Sequence, residues 1–115
     1  YQIIREAQKL AIKSVRPGMN GRHLDSIARN YIKKNGYGEY FRHDLGHGVG
    51  LRSVEEPLIT PRSDSYMIPE DCIIGIEPGI YLPEKFGMRV EEVVLVTKSG
   101  GVIISHSPDQ IEAIL

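Results

Sequence analysis

His43-Asp44-Leu45-Gly46-His47-Gly48-Val49-Gly50 carries two imidazoles four residues apart, with three glycines at alternate positions around the second. On a helix that spacing would put both histidines on one face and suit zinc. The glycines argue against a helix, because each costs about 1 kcal/mol relative to alanine in a helix interior. An extended chain accommodates them: side chains alternate across a strand, so His43 and His47 would share a face. The glycines would then admit a close approach by other backbone or by a substrate. Taken alone, either histidine reads first as an ordinary satisfied residue. Glu77 and Glu91, further along, change that reading.

On the amino-terminal side the pattern is helical. Ile3, Ile4, Ala7, Leu10, Ala11 and Val15 make one apolar stripe, and Pro17-Gly18 ends it. Asn20 suits the cap of a second helix with the stripe Leu24, Ile27, Ala28, Tyr31 and Ile32. Lys33 and Lys34 then complement the helix dipole, and Gly36 closes the helix. His23, in its first turn, is expected to face solvent.

On the carboxyl-terminal side, Glu55 to Pro69 holds Pro57, Pro61 and Pro69 and reads as a loop. Cys72-Ile73-Ile74-Gly75-Ile76-Glu77 reads as a short apolar strand ended by an acid and closed by Pro78-Gly79. After a turn at Pro83 to Gly87, Met88 to Thr97 reads as one longer strand with Arg89 and Glu91 on one face. Ser99-Gly100-Gly101 turns the chain into Val102 to Ile104, and a short last helix is expected over Gln110 to Leu115. The order implies an α+β fold, with helices backing one face of a mainly antiparallel sheet.

Composition narrows the function classes. The 115 residues suit one small domain with its own core, and 41% hydrophobic with 25% charged residues is ordinary globular composition. A formal net charge of -1 lacks the basic excess of a nucleic-acid binder. No apolar run approaches the ~20 residues of a membrane span. Nothing in the sequence resembles a signal peptide. Cys72 is the single cysteine, which leaves no intramolecular disulfide, and its isoleucine neighbours would raise the thiol pKa.

Glu77 and Glu91 pose the chemical question. A carboxylate buried at the end of an apolar strand costs several kcal/mol unless it meets a cation. Two such carboxylates facing each other repel unless a multivalent cation separates them. His47, Glu77 and Glu91 form a nitrogen-and-oxygen set suited to Mn, Co, Fe or Zn. An ion-pair network with Arg89 as the cation accounts for the same residues.

Three blocks carry a resemblance: His43-x-x-Gly-His47-Gly-Val-Gly-Leu, Ile76-Glu77-Pro78-Gly79-Ile80-Tyr81 and Gly87-Met88-Arg89-Val90-Glu91. They resemble the last three signature blocks of the Xaa-Pro peptidases, the prolidases and aminopeptidases P of the pita-bread metallopeptidase fold. Glu6-Ala7-Gln8 and Arg16-Pro17-Gly18 extend the likeness into the helices. Methionine aminopeptidases share the fold but lack Gly-Ile-Tyr after Glu-Pro and the Arg-x-Glu block, so the proline-directed branch is the closer match.

The resemblance implies a partial pita-bread fold with a curved sheet, residues 1–115 being the carboxyl-terminal part of one catalytic domain. It implies metal-dependent hydrolysis of the bond preceding proline in dipeptides or short peptides. His47, Glu77 and Glu91 would be three of five ligands of two divalent ions (Mn, Co or Zn). Glu91 would bridge the ions, and Glu77 would also help move a proton. His43 would be both catalytic and substrate-binding, steadying the amide and the tetrahedral intermediate, and Arg89 would orient the bridging glutamate. The implied partners are a short proline-containing peptide and a second subunit in a cytoplasmic homodimer, with no nucleic acid and no membrane.

Two departures stand out. Two ligand aspartates expected upstream of Tyr1 have no counterpart among Asp25, Asp44, Asp64, Asp71 and Asp109, so this chain alone is expected to be inactive. The family also has a substrate-contacting histidine where Val54 stands. A relative that only binds peptide or protein, or one that acts on a small non-peptide amide or amidine, is the alternative.

Overall fold

Two amphipathic helices back an antiparallel sheet in the computed structural model, which describes residues 1–106, 108, 110 and 111. Helix α1 (Gln2–Ser14) begins after Tyr1 with no side-chain cap. Helix α2 (Gly21–Lys34) opens on Asn20, whose Oδ1 accepts from the Arg22 and His23 amides at 2.9 and 3.3 Å. Two otherwise orphaned donors are thereby satisfied. Beyond Lys33 and Lys34, Gly36 takes a φ of 88° that an L side chain resists. His23 is exposed, as its position implied.

Strands β1 (Gly46–Gly48), β2 (Glu55–Ile59), β3 (Ile73–Ile76), β6 (Glu92–Thr97) and β7 (Gly100–Ile103) pair in the order β2-β1-β3-β6-β7. Strands β4 (Gly79–Leu82) and β5 (Phe86–Arg89) form a separate hairpin. Ala7, Ala11, Leu24, Ala28 and Ile32 from the helices meet Ile59, Ile74, Ile76, Val94 and Val96 from the sheet, all fully buried. Each large aliphatic side chain contributes roughly 1.5–3 kcal/mol by leaving water. The strand period then assigns the other face. With Ile74 and Ile76 turned to the helices, Gly75 and Glu77 turn away from them.

Three sequence expectations are corrected. His43 is outside the strand: β1 is only Gly46–Gly48, and the chain from Phe41 to Leu45 is irregular. The stretch from Glu55 is not wholly loop. Glu55–Ile59 is an edge strand, and Glu56 and Pro57 fall where its register to β1 slips, between the pairs His47↔Leu58 and Gly48↔Glu55. An edge strand with an irregular ladder tolerates proline, which has no N–H to give. Met88 to Thr97 is two strands in two sheets, since Val90 and Glu91 leave the hairpin before β6 begins. The expected last helix falls largely on residues 112–115, outside the described residues.

Among the described residues, no helix is long and apolar enough to cross a membrane. Cys72 packs against the core, its Sγ 3.2 Å from the Pro69 carbonyl, and burial pushes its thiol pKa up despite a backbone hydrogen bond that lowers it.

The glycines of β1 serve backbone packing. A Cβ at Gly46 would run into the Gly75 carbonyl oxygen, and one at Gly48 into that of Glu56. Gly75 differs: its nearest neighbour would be Glu91 Oε1 at 3.6 Å, an ordinary contact. Gly46→Ala should therefore cost about 3 kcal/mol or more in urea unfolding. Gly75→Ala should stay within about 1 kcal/mol of the parent. Equal costs would show that the β1–β3 approach is not a tight constraint.

Candidate functional site

His47 occupies the middle of β1, paired with Leu58 on one side and Gly75 on the other. Its Nδ1 lies 2.9 Å from the Gly48 carbonyl oxygen, which can only accept, so Nδ1 carries the hydrogen. Nε2 is left facing Glu77 Oε1 at 3.2 Å. A lone pair against a carboxylate oxygen is unfavourable unless a second proton or a metal cation stands between them. A histidine with one nitrogen fixed on a backbone carbonyl and the other turned to an acid is arranged as metal-ligating histidines are. The separation also suits the donor set. Two donors about 2.1 Å from one ion, at an angle of about 100°, stand roughly that far apart.

Glu77 is fixed by its backbone. It follows β3, its amide donates to the Leu45 carbonyl at 2.8 Å, and Pro78 stiffens the next residue. Its second carboxylate oxygen lies 3.6 Å from Arg89 Nη1 on β5. Arg89 is 52% exposed, so solvent screens that pair more than the His47–Glu77 contact. Arg89 was expected on Glu91's own strand. It reaches Glu77 from the hairpin instead.

The Glu91 carboxylate lies over Gly75, on the side a Cβ would point to. Since Gly75 is the register partner of His47, the side chains of His47, Glu77 and Glu91 share the sheet face opposite the helices. Among the described residues, no three His, Cys, Asp or Glu side chains are gathered into a group able to hold a metal. His47 and Glu77 form a pair within that face.

His43, although off the strand, lines the same cleft of about 480 Å³ as His47, Glu77, Val54, Leu58 and Arg62. Its Nδ1 donates to the Asp44 carbonyl at 2.8 Å, so in the neutral ring Nε2 accepts from the Tyr81 hydroxyl at 2.9 Å. Phe41 and Tyr81 pack on the ring edge-to-face, at 5.1 and 5.4 Å between centroids. The Asp44 carboxylate accepts from Thr60 Oγ1 at 2.7 Å and Arg62 Nη2 at 2.6 Å, which ties the histidine segment to the end of β2. Val54 lines the cleft wall and is 53% exposed.

Sequence reasoning missed Tyr81 and the Asp25–Arg29 pair, whose side chains grip the histidine segment. The i,i+4 spacing of Asp25 and Arg29, beside the apolar stripe of α2, was the available signal. It also missed Glu92, which turns to the helices, pairs with Arg5 at 3.2 Å and accepts from the Ser105 hydroxyl. Tyr81→Phe removes the hydroxyl that holds His43 and should lower stability by about 1 kcal/mol in urea unfolding at an unchanged slope. No loss would mean that water replaces the hydroxyl at no cost.

Comparison with known proteins matches residues 1–98 to the model of metallopeptidase family M24. The Xaa-Pro dipeptidase of Pyrococcus horikoshii is 51% identical over 100 residues, covering 87% of this chain and 28% of that protein. A prolidase structure from Pyrococcus furiosus superposes with a TM-score of 0.89 at 46% identity, over 94% of this chain and 32% of that one. For an Xaa-Pro dipeptidase from Bacillus anthracis the TM-score is 0.91 at 40% identity, over 96% and 31%. The chain thus spans under a third of the length of these relatives and has the α+β architecture of the corresponding part of the pita-bread fold. With residues 1–98 matching the family model and the helix-backed sheet superposing on the prolidase structure, this chain belongs to metallopeptidase family M24.

Proposed function

We propose that residues 1–115 are the carboxyl-terminal part of one pita-bread catalytic domain, in a metallopeptidase that hydrolyses the bond preceding proline in dipeptides or short peptides. The observation that carries this reading is His47, with Nδ1 committed to a carbonyl and Nε2 turned to Glu77. The resemblance adds Glu91 as a third ligand, two divalent ions (Mn, Co or Zn), two upstream aspartates and a cytoplasmic homodimer as the working form. When bound, such ions polarise the scissile carbonyl and acidify an attacking water. Glu77 takes or returns a proton at its carboxylate, and Arg89, to which the resemblance gives the orienting of Glu91, also reaches that carboxylate. His43, steadied by Tyr81 and Asp44, meets the substrate amide and stabilises the charge that develops on its oxygen.

One observation favours a second reading, a relative that binds without cleaving. Val54 stands in the cleft wall and offers no donor, where the resemblance implies a histidine. Loss of one such donor typically lowers turnover about 10²–10³-fold. The test is hydrolysis of Xaa-Pro dipeptides by the complete protein supplied in turn with Mn, Co and Zn. The expected outcome is slow cleavage, abolished in Glu77→Gln and raised in Val54→His. This 115-residue chain alone should be inactive. Metal-dependent cleavage by the chain alone would overturn the ligand assignment. A complete protein left inactive by Val54→His would favour the binding-only relative.

A further inference from the structure

We propose that Arg29, in the wall of the cleft that His43 and Glu77 line, acts with Asp25 as a positioning residue that sets both. The inference rests on the reading of those two as working groups of a hydrolase. The segment from Phe41 to Leu45 belongs to no strand, and on the side facing α2 its backbone meets side chains where a strand would find a neighbour. The Arg29–Asp25 pair takes that role. Arg29 Nη1 donates to the Phe41 carbonyl at 2.9 Å, and Nη2 donates to the His43 carbonyl at 2.8 Å. Asp25 Oδ1 accepts from the Leu45 amide at 3.0 Å. Residues 41, 43 and 45 are thus held at alternate positions, as a neighbouring strand would hold them.

Asp25 is fully buried and accepts two hydrogen bonds from the guanidinium, from Nε at 2.6 Å and Nη2 at 2.9 Å. The guanidinium also sits 4.2 Å from the Phe41 ring centroid, and that ring packs on the His43 imidazole. The grip extends to the acid. Leu45, held at its N–H by Asp25, accepts at its carbonyl from the Glu77 amide at 2.8 Å. The α2 pair is thus joined to His43 at its carbonyl and, through Leu45, to the Glu77 amide. Only a planar fork reaches both carbonyls and the carboxylate together, so lysine does not substitute.

The experiment uses the complete, metal-loaded protein with Arg29→Lys and Asp25→Asn, the second keeping an acceptor for the Leu45 amide. Turnover of an Xaa-Pro dipeptide is measured beside histidine ring spectra of ¹³C-labelled protein. Arg29→Lys should fold, lower kcat about 10- to 100-fold with KM within about threefold, and shift the His43 ring signals while leaving exposed His23 unmoved. Asp25→Asn should shift His43 in the same sense by less. Wild-type kcat, or a loss that only tracks the folded fraction with His43 unmoved, would overturn the proposal. If neither variant folds, amide exchange in the parent decides. Protection of Leu45 and Glu77 beyond that of Arg42 supports the grip, and open-loop exchange at both overturns it. A parent that cleaves no Xaa-Pro dipeptide, yet shows the His43 shift in Arg29→Lys, leaves the positioning standing and removes only the hydrolase reading.

Discussion

The contact between the His47 imidazole and the Glu77 carboxylate, 3.2 Å apart on the open face of the sheet, is prepared almost entirely by backbone. Gly46 lets β1 lie against the Gly75 carbonyl, the Gly48 carbonyl fixes the ring through Nδ1, and the Leu45 carbonyl receives the Glu77 amide. Neither side chain relies on its own rotamer preference alone. Such prior ordering reduces what a bound group must spend to assemble its donors. It also accounts for the glycines: Gly46 admits the Gly75 carbonyl and Gly48 that of Glu56, which lets β1 lie close to both neighbouring strands.

Two ion pairs, one buried and one partly buried, flank this arrangement and do different jobs. Arg5–Glu92 joins α1 to β6 inside the core, alongside the Gln8 amide bound to the Ile76 carbonyl at 2.8 Å. Arg29–Asp25 joins α2 to the irregular histidine segment. Desolvation offsets much of the attraction within a buried pair, so neither is a large source of stability. Their contribution is to orientation. The aliphatic core supplies the burial, and the pairs fix where the helices and the segment before β1 stand relative to the site face.

Much of this was legible in the residues. The helix stripes, the Asn20 cap, the Gly36 stop and the alternation through Ile74 and Ile76 follow directly from period and chain stereochemistry. What escaped were features whose cause lies elsewhere in the fold. Pro57 reads as loop until the interrupted ladder to β1 is seen to make room for it. The division at Val90 and Glu91 is hidden because Met88, Val90 and Val93 through Val96 suit one continuous strand as well as two. Adjacent Glu91 and Glu92 look alike in sequence, but the register sends Glu92 to Arg5 and the core, and Glu91 over Gly75. For the site, His47 and Glu77 were recognisable from the resemblance, whereas Tyr81 and Arg29 act through contacts that sequence spacing does not reveal.

The His47–Glu77 pair is built for a cation rather than for a salt bridge of its own. A crystal structure of the complete protein soaked in zinc, with anomalous scattering recorded at the metal edge, tests it most directly. The expected result is an anomalous peak about 2.0–2.2 Å from both His47 Nε2 and a Glu77 oxygen, with His47 Nδ1 still on the Gly48 carbonyl. A saturated crystal with no peak within reach of both, and the imidazole still in direct contact with the carboxylate, would contradict it.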